Sequence, residues 1–383
     1  MPEFILHSFN TLGHGIIGTV VPFLFILTVV VFFHELGHFL VARWAGVKVL
    51  AFSIGFGPEL IGFNDRHGTR WKISAVPLGG YVKFFGDDTE ASTPSCEKLA
   101  AMTEEERAGS FHHKKVGPRA AIVAAGPIAN FILGALIFAG MALYYGKPSL
   151  IARVDVVAAD SAAASAGFKA GDVVMRIDGK PIESFADMQQ IVAMSAGSSL
   201  VFEVKRDGAV VSLNATPALK ERKDIFGNSH RVGVLGIERK PQDGEAMTTP
   251  VGFVESLRIG VEQVWFIIAT TFKSLGLLIV GAGNPQEMSG PIGIAEISGQ
   301  AAHAGFQFVI NLCAFLSVSI GLLNLFPIPL LDGGHLLFYG AEVLRGRPLS
   351  ERAQEMGFRI GLGLVLMLVV FTTYNDILRL VGS

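Results

Sequence analysis

Charge is scarce in this chain. Asp, Glu, Lys and Arg make up 17% of its 383 residues, against 50% hydrophobic residues, and the mean hydropathy is +0.49. Such a composition excludes an ordinary soluble enzyme and indicates an integral membrane protein. The formal net charge is −2 and no run of Lys or Arg appears, so nothing points to nucleic acid. Cysteine is nearly absent. Cys96 sits in a polar stretch and Cys313 in an apolar one, which excludes a disulfide framework and leaves no Cys–Cys zinc spacing. No Lys or Arg precedes Arg43. The basic start of a secretory signal peptide is therefore missing, and the first apolar segment is expected to be retained.

That first segment carries the most informative stretch of the chain, His34-Glu35-Leu36-Gly37-His38. On a helix, residues at i and i+4 project from one face, so His34 and His38 are spaced to place two imidazoles on one zinc ion, with Glu35 beside it as general base. The apolar run Val20 to Val31 lies just upstream. Ionisable residues inside a membrane helix are costly unless they serve a site, which weighs against a chance match. Catalytic zinc sites usually have three protein ligands and one open position. Asp332 is the best third candidate, because it is acidic and closes an apolar helix. His335 and His303 are its rivals.

Taken in order, residues 15 to 41 and 118 to 145 are expected to be the first two membrane helices. Lys and Arg cluster between them, so the positive-inside rule puts the N-terminus outside, residues 43 to 119 in the cytoplasm, and the metal motif at the cytoplasmic end of its helix. Residues 47 to 86 are β-prone and punctuated by Gly and Pro, and predict two strands around a turn at Asp65-Arg66-His67-Gly68. Residues 87 to 113 predict a solvated loop or short helix. Asn130, in the second helix, is read as a hydrogen-bonding residue that joins helices in preference to a site residue. Residues 150 to 218 predict a small α+β module with turns at Asp178-Gly179-Lys180 and Asp207-Gly208. It lies outside by parity. Residues 306 to 331 and 358 to 374 are two further spans, the first followed by Arg345, Arg347, Arg352 and Arg359. The segment 251 to 281 is long enough to span. Yet Asp332 can meet His34 and His38 only if its helix also runs from outside to inside, so 251 to 281 is expected to be an interfacial or partly embedded helix.

Two stretches resemble the signature motifs of the site-2 proteases, which are intramembrane zinc metalloproteases. One is the His34-to-His38 motif, and the other is Asn324-Leu325-Phe326-Pro327-Ile328-Pro329-Leu330-Leu331-Asp332-Gly333. The similarity continues through Gly126-Pro127-Ile128-Ala129-Asn130 and Ser289-Gly290-Pro291-Ile292-Gly293. Residues 52 to 83, with the turn Gly55-Phe56-Gly57, are similar to the family's membrane-associated β-hairpin, and residues 150 to 218 look like a PDZ domain. The branch resembled is RseP-like, although RseP carries two tandem PDZ domains and this chain has room for one.

The resemblance implies an α-helical polytopic membrane protein with four transmembrane helices, the hairpin and an inserted PDZ domain. Its parts are a membrane region over 1–149, the PDZ domain over 150–218, a linker and interfacial helix over 219–305, and a second membrane region over 306–383. It implies one zinc ion on His34, His38 and Asp332, with Glu35 as the base. Asn324 would support the oxyanion, and Gly55, Phe56, Gly57, Pro327 and Pro329 would help to seat substrate. The implied substrates are single-pass membrane proteins, such as anti-sigma factors of a stress response or remnant signal peptides. The implied location is a bacterial inner membrane, with the PDZ domain outside the cytoplasm. Two rivals are a non-catalytic PDZ-bearing scaffold and a zinc-dependent transporter. A scaffold needs none of the four ionisable residues, and a transporter would spread them along a path.

Overall fold

A computed structural model describes residues 17–87, 101–148, 150–223, 229–240, 248–281 and 289–382. Residues 1 to 15, Cys96 and the stretch 88–100 of the expected polar loop lie outside the described residues. In chain order the helices are α1 (Gly18–Trp44), α2 (Glu104–Gly109), α3 (Val116–Tyr145), α4 (Ala162–Ser165), α5 (Phe185–Ala193), α6 (Phe253–Ile279), α7 (Pro291–Ala304), α8 (Phe306–Asn324), α9 (Asp332–Arg345) and α10 (Glu351–Gly382). The strands are β1 (Val49–Asn64), β2 (Arg70–Phe84), β3 (Lys147–Pro148), β4 (Val156–Val157), β5 (Val173–Ile177), β6 (Lys180–Pro181), β7 (Leu200–Arg206), β8 (Ala209–Ala215), β9 (Ala218–Lys223), β10 (Ser229–Val234), β11 (Ile237–Glu238) and β12 (Thr248–Thr249). The chain divides into two compact units, Met1–Phe138 with Gly260–Ser383, and Ala139–Ile259.

The first unit is built on apolar helices, as expected where backbone groups have no water to bond and must be satisfied within the helix. Among the described residues, five helices are long and apolar enough to cross a membrane: α1, α3, α6, α8 and 352–379 of α10. The expected count was four, and α6 is the addition. It is the least apolar of the five. Its Val264 and Ile267 pack with Phe138, Ala314 and Val318, and its Phe272 ring meets Phe326 at 6.1 Å. Phe326 lies just beyond the end of α8, so α6 packs along the second half of α8 to its end. Helices α1 and α8 run parallel: Ile26 and Val30 pack with Val309 and Cys313, and further on His34 meets Asn324.

The expected hairpin is present, with its turn where Asp65 Oδ1 accepts the His67 and Thr69 amides at 2.8 and 2.9 Å. Both strands are bent. Residues 51–54 pair on one side with 80–83 and on the other with 70–73, while 61–64 pair with 70–73 in turn. The ribbon thus folds over into four short segments, with 80–84 on one edge. Gly55, at φ +86°, marks one bend, and a side chain there would collide with the Val76 and Ser74 carbonyls. Trp71 stacks on Phe52 at 4.3 Å and meets Phe39 of α1 edge-on at 5.0 Å, which anchors the sheet to the helices.

Residues 306 to 331 do not form one span. Helix α8 stops at Asn324, residues 325–331 turn, and Asp332 opens α9. Pro327 and Pro329 cannot donate to a continuing helix. Gly333 and Gly334 carry no Cβ where one would run into the carbonyls of Leu325, Phe326 and Ile328, so the first turn of α9 can seat on the loop. Asp332 therefore begins a helix instead of closing one.

The second unit holds an antiparallel sheet ordered β6-β5-β7-β8 and pairs β4 with β11. Phe202, Val204, Val154 and Val174 are buried in its core with Phe168 and Met188. The expected turns hold: Asp178 and Gly179, then Asp207 and Gly208, all have positive φ, as tight hairpin turns demand. The unit extends past residue 218, for Leu235 joins its core and Ile237 pairs with Val157.

Candidate metal centre and active site

His34 and His38 lie one turn apart on α1, with their Nε2 atoms 3.3 Å apart. Asp332 directs Oδ2 at both, 3.2 Å from His34 Nε2 and 3.6 Å from His38 Nε2. Among the described residues, these three alone bring enough ligand atoms together to hold a metal. Ligand atoms about 2.0–2.2 Å from a tetrahedral zinc lie about 3.3 Å from each other, which matches all three separations. Asp332 Oδ2 is buried and accepts no hydrogen bond, so a cation would satisfy an otherwise orphaned oxygen. The residues fit zinc.

Helix α3 supplies the groups behind the imidazoles. His38 Nδ1 donates to the Ile122 carbonyl at 2.8 Å, which leaves Nε2 with its lone pair facing the centre. The Asn130 amide lies 3.3 Å from His34 Nδ1. Between them, Gly126 sits flush against both rings, and a Cβ there would collide with His38 Nε2 and come within 2.9 Å of His34 Cε1. Residues 122, 126 and 130 repeat every four positions, so one face of α3 backs both histidines. Gly37 completes the approach of α1 to α3, since any side chain there would strike the Ala125 carbonyl.

The three ligand candidates, Glu35 and Asn324 line one cavity of about 370 Å³. Asn324 Nδ2 is 3.4 Å from His34 Nε2. Gly80, Tyr81 and Val82, on the edge segment of the folded hairpin, line the same cavity. Gly80 lets that edge come within 3.0 Å of Glu35 Cγ, measured from where its Cβ would be. Its far wall carries His335, packed against Phe358, together with Arg119 bonded to Glu342 at 2.6 Å and His112 bonded to Asp87 at 2.8 Å. His335, a rival third ligand in the sequence, faces the cavity but stands outside the three-residue cluster. His303 is elsewhere, with Nδ1 donating to the Gly299 carbonyl.

Comparison with known proteins agrees with this geometry. A family model described as peptidase family M50 matches residues 22–368. The chain belongs to peptidase family M50, the site-2 proteases. It is 48% identical over 365 residues to a candidate zinc metalloprotease of Mesorhizobium japonicum, covering 94% of this chain and 99% of that protein. A second candidate zinc metalloprotease, from Rhizobium meliloti, is 49% identical over 364 residues, covering 95% and 97%. Metalloprotease MmpA of Caulobacter vibrioides is 40% identical over 387 residues, covering 95% and 96%. This M50 chain is thus a zinc metalloendopeptidase with several apolar helices, as a multi-pass membrane protein requires.

Of the residues expected at the site, His34, Glu35, His38, Asn324 and Asp332 come together. Gly55, Phe56, Gly57, Pro327 and Pro329 are not among the cavity-lining residues. Phe56 reaches it at one remove, stacked on Tyr81 at 6.0 Å. Sequence reasoning missed the backing face of α3. The signal was available in the four-residue spacing of Ile122, Gly126 and Asn130.

Proposed function

We propose that this M50 peptidase cuts peptide bonds within transmembrane segments of single-pass membrane proteins, with His34, His38 and Asp332 as zinc ligands and Glu35 as the general base. The observation that carries this reading is the cluster of two imidazoles and one carboxylate at zinc spacing, beside Glu35, on apolar helices. A scaffold would need none of it.

Zinc at this position supplies Lewis acidity toward water and toward a peptide carbonyl. Glu35 takes a proton from the attacking water and returns it to the departing amine. The Asn324 amide donates toward the carbonyl oxygen as negative charge develops there. A helical substrate hides its peptide bonds and must first unwind. Residues 80–82 form the outer segment of the folded hairpin and line the cavity beside Glu35, where an extended segment can add as a further strand. The bends at Gly55-Phe56-Gly57 hold that edge in place, and Pro327 and Pro329 shape the loop that carries Asp332.

The topology we favour has four crossings, by α1, α3, α8 and α10, in a bacterial inner membrane. Helix α6 dips to the depth of the site and the chain returns to the same side. The parallel course of α1 and α8 supports it, because a crossing by α6 would reverse α8. Residues 150–218, with the strands that follow, fit a PDZ domain on the extracytoplasmic side, where it filters out substrates that keep bulky outer domains. Anti-sigma factors of a stress response and remnant signal peptides are the substrate classes.

Quantitative proteomics of membranes from cells with wild-type or Glu35→Gln protein tests the proposal. Single-pass proteins shortened on their outer side should accumulate in the variant. Accumulation of soluble peptides alone would contradict an intramembrane substrate.

A further inference from the structure

We infer that Asn130 sets the tautomer of His34, by accepting the Nδ1 proton through its side-chain oxygen, and so makes the zinc site competent to bind. The inference rests on the assignment of His34, His38 and Asp332 as ligands. Asn130 is completely buried in α3, and its amide nitrogen stands 3.3 Å from His34 Nδ1, while its own Oδ1 is buried without a partner. Its position is rigid. The Ser317 hydroxyl of α8 donates to the Asn130 carbonyl at 2.8 Å, and Gly321 lies so close that an added Cβ would come within 3.0 Å of the Asn130 Cβ.

The chemistry of the ring decides which amide atom belongs at Nδ1. A neutral imidazole carries one proton. His34 Nε2 faces Asp332 Oδ2 and the nitrogen of the Asn324 amide, so it is the atom that must keep its lone pair for a metal. The proton then resides on Nδ1, where it needs an acceptor. An amide N–H there would set donor against donor. A half-turn about χ2 exchanges the two ends of the amide at no cost in shape, and brings the orphaned Oδ1 to the Nδ1 proton. His34 then matches His38, whose Nδ1 proton goes to the Ile122 carbonyl. Each ligand gains an acceptor from the same face of α3. Such outer partners fix ring orientation and raise ligand basicity, and removing one typically costs about 10–100-fold in metal affinity.

Two variants of the full-length protein in detergent test the role: Asn130→Leu, of similar volume without an acceptor, and Asn130→Asp, which can accept but cannot donate. Zinc affinity is read by competition with a chromophoric chelator, tetrahedral coordination by the visible spectrum of the Co²⁺ form, and folding by circular dichroism. We expect Asn130→Leu to bind zinc about 10–100-fold more weakly than wild type. Asn130→Asp should bind at least as tightly as wild type and keep the tetrahedral Co²⁺ spectrum. Wild-type affinity in Asn130→Leu would overturn the inference. So would a loss in Asn130→Asp, since that is what a donating amide requires, and this arm decides the matter even if the Leu variant fails to fold. A His34→Ala protein that keeps wild-type zinc affinity would instead overturn the ligand assignment beneath it.

Discussion

At the scale of single residues, His34 and His38 were legible as candidate ligands because the i, i+4 rule and the cost of burying charge in lipid act within one short stretch, whereas Asp332 was taken to close a helix that it opens. Asn130 was read as a hydrogen-bonding residue that joins helices and is buried between them as such, but its partner, His34, was not legible because it is 96 positions away and only packing brings them together. Gly126 separates local from tertiary logic. Helix propensity alone favours Gly126→Ala by about 1 kcal/mol. The packing says the reverse, because the new methyl would occupy the space of both ligand rings. Overpacking of this kind costs about 1–3 kcal/mol. We expect Gly126→Ala to stay helical but to bind zinc at least 10-fold more weakly, as chelator competition would show. Unchanged affinity would mean that the face of α3 does not abut the imidazoles.

Among the elements, the hairpin and its turn could be read from β-prone apolar residues and the Asp65 to Gly68 punctuation. Its folding-over could not. That depends on Gly55 and Gly80 admitting backbone from distant segments, and a glycine reads the same whether it faces space or a neighbour. The break between α8 and α9 was hidden for a related reason, since the apolar run continues through residues 325–331 while the prolines and the Gly333–Gly334 packing end the helix. Helix α6 was read as interfacial or partly embedded. Length and apolarity allow it to cross, whereas the parallel course of α1 and α8 requires an even return. In a variant lacking Cys96 and Cys313, single cysteines placed at Pro250 and at Asn284 should both react with a membrane-impermeant maleimide from the outer side of intact spheroplasts. Reaction of the second only after permeabilisation would show that α6 crosses.

For the molecule as a whole, the two units carry separable chemistry. In the unit Ala139–Ile259, Asp155 receives hydrogen bonds from Arg153 at 2.6 Å, Arg239 at 2.6 Å and the Lys240 amide at 2.7 Å. Burial works to raise its pKa, but these donors overcome it and hold the carboxyl at about 2, below its ordinary 3.8. The folded pKa is the lower one, so the stabilisation is complete above the ordinary value and is lost as pH falls toward 2. Thermal unfolding of this unit, followed within the full chain by limited proteolysis, should therefore depend more steeply on pH between about 4 and 2 in wild type than in Asp155→Asn. Equal slopes would remove Asp155 from the account. The zinc site belongs to the other unit, and one experiment tests it most directly. Zinc content and cleavage of a reconstituted single-pass substrate are measured side by side for wild type, Glu35→Gln and Asp332→Ala. The account predicts one zinc per chain in wild type and in Glu35→Gln, little in Asp332→Ala, and cleavage by wild type alone. Cleavage by Glu35→Gln at the wild-type rate, or full zinc in Asp332→Ala, would contradict it.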